Sequence, residues 1–197
     1  MIVFLFGLPG AGKTYLGQLL ANHWSCPYWD GDEALTQEMR VAVHEERPFS
    51  EEMTRTLSNR MIESMTSLSS SHKTFVVSQA MLLETDRELF KKLFPDIRFV
   101  YIHCDKNTML QRVASRANFV SVSYCEKLLT AFQPYEQAAL QYPSVNNNNK
   151  DDTILLDELK QACTKESKNY PGNGFFNSMV LSIQSAPQKD LASSPNL

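Results

Sequence analysis

Short apolar runs alternate along this chain with longer stretches in which apolar residues recur every three or four positions. The first run, residues 1–6, is unbroken, as is typical of a parallel strand that is buried on both faces. Similar runs predict four more strands at residues 27–30, 74–78, 97–103 and 153–156. The stretches between them predict helices at residues 14–24, 33–45, 51–68, 84–94, 106–116 and 122–133. This alternation predicts an α/β fold, in which a five-stranded parallel sheet carries helices on both faces.

A glycine-rich sequence joins the first predicted strand to the first predicted helix. It reads Gly-Leu-Pro-Gly-Ala-Gly-Lys-Thr over residues 7–14 and fits the phosphate-binding pattern G-x-x-x-x-G-K-[ST] at every fixed position. Glycines let the backbone curl so that its N–H groups converge on phosphate oxygens, and the positive end of the next helix adds to the attraction. Lys13 is predicted to reach the β- and γ-phosphates, and the Thr14 hydroxyl to help hold Mg²⁺. The predicted nucleoside-triphosphate site comprises Gly7, Leu8, Pro9, Gly10, Ala11, Gly12, Lys13, Thr14 and Tyr15.

Composition narrows the classes of protein and partner. The chain has 197 residues, of which 43% are hydrophobic, and this suits one well-packed domain. A net charge of −3 without a Lys- or Arg-rich run argues against a nucleic-acid partner, and no apolar stretch reaches the ~20 residues of a membrane span. The four cysteines form no C-x-x-C pair, which favours reduced thiols and a cytoplasmic location.

The composition changes toward the C-terminus. Residues 1–164 are predicted to form the folded domain, whereas residues 165–197 are rich in polar residues and are predicted to be a partly disordered tail. An apolar island at residues 175–183 leaves open that the tail docks on the domain or serves a partner. The four asparagines at residues 146–149 predict a solvated loop before the last strand.

Two carboxylates lie at the end of the second predicted strand, in the sequence Asp30-Gly31-Asp32. The carboxyl ends of parallel strands meet at one edge of the sheet, so these side chains are expected near the glycine loop. If the strand geometry continues, Asp30 and Asp32 point to the same side, and Gly31 lets a substrate approach closely. One carboxylate can then enter the water shell of Mg²⁺ while the other accepts a proton from an attacking hydroxyl. The alternative is a surface turn without a catalytic role.

Several segments together resemble a known family. They are the glycine loop, Tyr-Trp-Asp-Gly-Asp at residues 28–32, Phe-Val-Tyr-Ile at residues 99–102 and Phe-x-x-Tyr-Glu at residues 132–136, and they resemble gluconokinase. More broadly, about residues 1–160 resemble the shikimate-kinase-like branch of small P-loop kinases. The resemblance implies a P-loop NTPase fold with a helical lid, ATP and Mg²⁺ as cofactors, and a homodimer as a state to test. It also implies that Asp30 assists Mg²⁺, that Asp32 receives the acceptor hydroxyl and that Arg55 holds a substrate carboxylate.

Three further arginines are candidates for the site. Arg112 and Arg116 lie four residues apart on one predicted helix face and lead into residues 117–119, where the resemblance places the lid. Lid arginines close over the triphosphate, so Arg112 is predicted to bind nucleotide and Arg116 to act in catalysis. The alternative is that both pair with acids at the surface. Arg87 also matches an arginine of the family pattern and is predicted to bind substrate, with stabilisation of the helix start as its alternative.

The chain departs from the gluconokinase pattern around the acceptor and the lid. No glycine occurs between Asp32 and Pro171, although gluconokinases usually carry one in the substrate loop and one in the lid. The sequence Glu-Arg-Pro-Phe at residues 46–49 replaces a Gly-x-Pro-Leu turn, and the lysine expected soon after the third strand is absent. The sequence therefore supports the phosphate donor better than gluconate itself as the acceptor.

The leading hypothesis is an ATP-dependent kinase that phosphorylates a hydroxyl of a small polar acceptor, with a gluconate-like sugar acid as the first candidate. Lys13, Asp32 and Arg116 are its predicted catalytic residues. A second hypothesis keeps the enzyme but makes the acceptor a nucleoside, a nucleotide or a nucleic-acid end. A third is a nucleotide-binding module without turnover, whose tail serves a partner. The expected partners are a nucleoside triphosphate and a small-molecule acceptor, without nucleic acid or membrane.

Overall fold

Five parallel strands form one sheet in the computed structural model, which describes residues 1–115, 120–132 and 136–165. The order of the strands across the sheet is β2-β3-β1-β4-β5, so the first strand of the chain lies at its centre. Each neighbouring pair is parallel. The strands are β1 (Ile2–Phe6), β2 (Tyr28–Asp30), β3 (Phe75–Ser78), β4 (Ile97–His103) and β5 (Ser144–Asn146). The predicted α/β class and parallel sheet are confirmed.

Six of the eight α-helices in the described residues lie close to where the apolar spacing predicts them, and the last two were not predicted as helices. The eight are α1 (Lys13–Trp24), α2 (Gln37–His44), α3 (Glu51–Ser71), α4 (Glu84–Leu93), α5 (Lys106–Ala114), α6 (Val122–Phe132), α7 (Glu136–Ala139) and α8 (Asp152–Thr164). The predicted helix at residues 33–45 is divided. Its start belongs to a 3-10 helix, Gly31–Ala34, and α2 begins only after Thr36, whose hydroxyl oxygen accepts the Met39 N–H at 3.2 Å. Among the residues that the structure describes, no helix combines the length and apolar character needed to cross a membrane.

Helices cover both faces of the sheet because successive side chains of β1 point to opposite faces. Phe4 and Phe6 pack on one face with Met61, Met65 and Phe90 of α3 and α4. Val3 and Leu5 pack on the other face with a second apolar group from α1 and α8, which comprises Leu16, Leu20, Leu155 and Leu159. Burying one such side chain stabilises the fold by about 1.5–3 kcal/mol, so the two layers hold the central strand firmly in place.

The fifth strand is not where the sequence predicts it. The run at residues 153–156 is the first turn of α8, and the strand is Ser144–Asn146, paired with β4. Leu155 and Leu159 are buried four residues apart, which is helical spacing, whereas a four-residue apolar run by itself does not separate strand from helix. Asp151 caps this helix by accepting the Thr153 N–H at 2.9 Å.

The asparagine run is consequently structural at its centre rather than a solvated loop. Asn147 is only 4% exposed, and its main-chain N–H donates to the His103 carbonyl at 2.8 Å, which extends the pairing beyond β5. Its side-chain Nδ2 donates to the Ala11 carbonyl at 2.9 Å. The edge strand thereby reaches the glycine loop at the centre of the sheet. Residues 166–197, which contain nearly all of the predicted tail, lie outside the described residues, and the division at residue 164 stays a prediction.

We expect Asn147→Ala to lower the free energy of unfolding by about 1–3 kcal/mol, because the buried Ala11 carbonyl loses its donor. Urea denaturation would measure the loss. The matched control is Asn148→Ala, which removes one partly exposed acceptor for the Asp105 N–H and should cost less than half as much. Equal losses in the two variants would contradict the structural role of Asn147.

Candidate active site

The glycine loop curls in a conformation that only glycine accommodates. Gly10 and Gly12 have φ values of +81° and +94°, in the left-handed region that side chains rarely adopt. A Cβ atom at Gly10 would lie 2.6 Å from the Met109 carbonyl oxygen, and one at Gly12 would overlap the Asn147 side-chain amide. The loop therefore leads directly into α1, with main-chain N–H groups at the helix start available to an anion.

The residues predicted to hold phosphate and metal come together at the start of α1. The Lys13 ammonium donates to the Leu8 carbonyl at 3.0 Å, across the loop. The Thr14 hydroxyl donates to Asp30 Oδ2 at 3.1 Å, so the two predicted metal residues are direct neighbours. A hydroxyl and a carboxylate oxygen are ligands of the type that Mg²⁺ prefers, and this pair fits the ion.

Asp30 also caps the turn that follows β2. The main chain at Asp32 therefore does not continue in the strand geometry that the sequence analysis assumed. Asp30 Oδ1 accepts the Asp32 N–H at 3.1 Å and caps the 3-10 helix, so the chain turns instead of continuing as a strand. Asp32 nevertheless interacts electrostatically with both Lys13 and Asp30. Gly31 is buried, and a Cβ atom there would lie 2.8 Å from Cβ and from Cγ of Gln79. The space left by the missing side chain at Gly31 is therefore occupied by Gln79, a residue of the protein itself.

Burial is the largest influence on the Asp32 carboxyl group, and it raises the pKa above the ordinary value. Lys13 and Arg40 act in the opposite direction by their positive charges, Asp30 raises the pKa further by repulsion, and a hydrogen bond from Gln79 lowers it. Arg40 also donates from Nη2 to the Asp32 carbonyl at 2.7 Å. Sequence reasoning missed Arg40 and Gln79, because neither belongs to a motif and each reaches Asp32 from a different element.

The predicted arginines reach different environments. Arg112 Nη2 donates to Asn149 Oδ1 at 3.5 Å, and its Nη1 lies 3.7 Å from where a Cβ atom at Gly12 would be. That Nη1 is buried without a hydrogen-bond partner among the described residues, which leaves a cationic donor beside the glycine loop. Arg55 lies exposed in the first turns of α3. Arg116 and residues 117–119, where the lid is predicted, lie outside the described residues.

The structure places Arg87 in the alternative role that the sequence analysis named, which is to stabilise the start of a helix. Its side chain is 0% exposed, and Nη1 donates to the Met81 carbonyl at 2.6 Å. Nη2 donates to Glu84 at 2.8 Å, and the guanidinium lies 4.5 Å from the centre of the Phe6 ring. These contacts support the loop after β3 and the start of α4 rather than a contact with substrate.

Two other side chains attach the loop to its surroundings. Tyr15, predicted to bind nucleotide, is exposed and donates its hydroxyl to Asp152 at the start of α8, so a phosphate contact by Tyr15 would use its main-chain N–H. The Cys125 thiol lies 3.7 Å from the Pro9 carbonyl and the Cys104 thiol 3.9 Å from the Gly10 carbonyl. Burial raises the pKa of both cysteines, which keeps them as neutral thiols.

Glu46 links the turn between α2 and α3 to α6. It adopts a left-handed φ of +55°, where the gluconokinase pattern has glycine. Its carboxylate accepts from the Ser121 hydroxyl at 2.6 Å, the Ser123 hydroxyl at 3.1 Å and the Lys127 ammonium at 2.6 Å. Lys127 and then Ser121 lower the pKa of Glu46 to about 2. The departure from the pattern at this position thus has its own set of partners.

The sheet order, the glycine loop and the acidic turn beside it define a P-loop nucleotide-binding protein. The family described as AAA domain matches residues 3–126, which is more than half of the sequence, and the chain belongs to that family.

Two gluconokinases and a shikimate kinase are among the individual proteins to which this chain is similar. The thermosensitive gluconokinase of Escherichia coli (strain K12) is 25% identical over 130 residues, which cover 66% of this chain and 70% of that protein. A gluconokinase from Sinorhizobium meliloti 1021 aligns over 93% of this chain and 97% of its own, with a TM-score of 0.66 and 18% identity. Shikimate kinase from Acinetobacter baumannii aligns over 81% and 90%, with a TM-score of 0.54 and 19% identity. The resemblance that the sequence predicts is confirmed.

We expect Arg87→Met to cost about 2–4 kcal/mol in the free energy of unfolding. A buried pair that loses one partner costs ~3–5 kcal/mol, and Glu84 is 34% exposed, which moderates the loss. Chemical denaturation measures this, with Lys92→Met on the exposed face of the same helix as control. A variant of unchanged stability that bound the acceptor poorly would instead return Arg87 to the substrate site.

The contact of Glu46 should make stability depend on pH. Its pKa of about 2 in the folded protein lies below the ordinary 4.5, so the contact stabilises above pH 4.5 and is lost as the pH falls toward 2. We expect Glu46→Gln to lower Tm at pH 7 by up to about 3 °C, since the partners are exposed. Thermal melts from pH 7 to pH 3 should show this difference shrinking, with Glu45→Gln as control. A difference that stays constant with pH would exclude the charge as its cause.

Proposed function

We propose that this protein is an ATP-dependent kinase that transfers the γ-phosphate to a hydroxyl of a small polar acceptor, with a gluconate-like sugar acid as the first candidate. The observation that carries the proposal is the meeting of Lys13, the Thr14–Asp30 pair and Asp32 at one edge of the sheet. The gluconokinase relatives support the choice of a sugar acid over a nucleoside or nucleic-acid acceptor and over a module without turnover.

The nucleotide side of the site uses charge and main-chain donors. The N–H groups of the glycine loop and the start of α1 bind the phosphates, and Lys13 neutralises charge on the transferred group. Thr14 and Asp30 would hold Mg²⁺, which supplies positive charge next to the phosphates when it is bound. Arg112 contributes a further cationic donor beside Gly12. Arg116 is assigned to closing over the phosphates, on the resemblance alone.

The acceptor side depends on Asp32. The acceptor oxygen forms a bond to the γ-phosphorus while the bond from that phosphorus to the bridging oxygen of ADP breaks, and the hydroxyl proton passes to Asp32. Burial makes the Asp32 carboxylate more basic, and Lys13 and Arg40 favour its ionised form, so both requirements of a general base are met. Arg55 is assigned to a carboxylate of the acceptor, again on the resemblance alone. Cytoplasmic location and a homodimer also stay predictions.

The test is ADP release from ATP and Mg²⁺ over a panel of acceptors. The panel spans gluconate and related sugar acids, shikimate, nucleosides and nucleoside monophosphates. We expect a sugar acid to raise turnover at least about tenfold over the rate without acceptor. Lys13→Ala should lower this turnover about 10²–10³-fold and Asp32→Asn about 10²–10⁴-fold, since each removes a group that acts in the transition state.

Lys160→Ala is the matched control for Lys13→Ala, because Lys160 pairs with Asp157 on α8, and it should leave turnover within about twofold. Thermal melts of each variant separate loss of function from loss of folding. A panel without any stimulating acceptor, or an unchanged rate in Lys13→Ala, would refute the kinase.

A further inference from the structure

Gln79 lies where three parts of the site meet. It follows the last residue of β3, and its main-chain N–H donates to the Leu5 carbonyl of β1 at 3.1 Å, so its backbone is held by the sheet. The next residue, Ala80, accepts the Gly7 N–H at 3.2 Å and ties the same loop to the glycine loop. The stem of the Gln79 side chain lies over Gly31, between the two aspartates, where a Cβ atom would come within 2.8 Å of it.

The hydrogen bonds of Gln79 determine which end of its amide faces Asp32. Oε1 accepts the main-chain N–H of Met81 at 2.6 Å, so the oxygen end of the amide is occupied. The end that remains is the Nε2 donor, on a side chain whose stem lies over Gly31 directly beside Asp32, and a donor there lowers the pKa of Asp32. A donor to one carboxylate oxygen restricts rotation of the carboxyl group and leaves the other oxygen for a substrate hydroxyl.

The Met81 peptide is itself held from the opposite side. Met81 has a left-handed φ of +33°, and its carbonyl accepts from the buried Arg87 guanidinium at 2.6 Å. The hydrogen bonds therefore run from Arg87 to Met81 and from Met81 to Gln79, whose side chain lies over Gly31 next to Asp32. Because Arg87 is fully buried and paired with Glu84, this series begins from a rigid point in the core.

We propose that Gln79 is a positioning residue for Asp32. The Gln79 Nε2 group holds one oxygen of the Asp32 carboxylate, so that the other oxygen meets the acceptor hydroxyl. The inference rests on the proposed function, because it assumes that Asp32 receives the proton. The lysine that the gluconokinase pattern places soon after this strand is absent, and Gln79 belongs to the segment that replaces it. The charged groups that face Asp32 are Lys13, Asp30 and Arg40, and Gln79 adds a neutral donor to them.

Two substitutions separate this role from support of the loop alone. Gln79→Glu keeps an acceptor for the Met81 N–H but turns a carboxylate toward Asp32, whereas Gln79→Met keeps the length of the side chain and removes both hydrogen bonds. We expect kcat to fall about 10–100-fold in Gln79→Met and at least as far in Gln79→Glu, with KM for ATP within about twofold. Gln161→Met, on the exposed face of α8, is the matched control and should change neither.

A role in the loop alone predicts a different order, since Gln79→Glu would then stay close to wild type while Gln79→Met lost activity. That order would overturn the proposal. The double variant is a second check. In the Asp32→Asn background, adding Gln79→Met should lower kcat by less than about twofold. The reason is that a residue that acts only by positioning Asp32 has little effect once the Asp32 carboxylate is absent. Additive losses would also overturn it.

One measurement does not depend on turnover. The side-chain amide of Gln79 can be assigned in a ¹H–¹⁵N spectrum by its disappearance in Gln79→Met, and Asp32→Asn should shift this signal clearly while that of Gln161 stays unchanged. If no acceptor is phosphorylated, the proposed function fails, and this signal alone decides whether Gln79 holds Asp32. An amide signal that is insensitive to Asp32→Asn would refute the contact even in an active kinase.

Discussion

The packing of the Asn147 amide against the glycine loop is the contact on which the site most depends. Gly12 has no side chain, and the space beside it is filled by an amide that donates to the Ala11 carbonyl at 2.9 Å. This contact joins the end of an edge strand to a loop at the centre of the sheet. Because α1 begins directly after Gly12, the positions of Lys13 and Thr14 relative to Asp30 follow from it.

The acceptor side departs from the gluconokinase pattern, yet the departures have partners in the described residues. Glu46 stands where that pattern has glycine, and it accepts hydrogen bonds from Ser121, Ser123 and Lys127 of the α6 region. Gln79 lies in the segment that lacks the expected lysine. It accepts the Met81 N–H, and the stem of its side chain lies over Gly31 beside Asp32. Both departures therefore have partners of their own in this chain, and under the proposed function they fall on the side of the site that is assigned to the acceptor.

Patterns within one element predicted the fold well, and contacts between elements account for the errors. The glycine loop, four of the five strands and the first six helices follow from motif and apolar spacing, whereas α7 and α8 were not predicted. The prediction of the fifth strand was wrong because four residues, 153–156, are too few to show a helical period. The true strand, Ser144–Asn146, is defined by its pairing with β4, which its own sequence does not indicate. Asp32 does not continue the strand, because the Asp30 side chain accepts its N–H and starts a turn. Arg87 was predicted to bind substrate, but it is buried beside Phe6 and supports the fold.

The sequence by itself determined the phosphate-binding loop, the parallel α/β architecture and the pair of aspartates at the end of β2, because each is encoded by neighbouring residues or by a regular period. Only the tertiary structure decided which side chains surround Asp32, since Lys13, Arg40 and Gln79 come from three elements far apart in the chain. It also decided that Asn147 supports the glycine loop from 136 residues away. No local pattern encodes such contacts, because they arise only when buried polar groups find partners as the sheet and its helices pack.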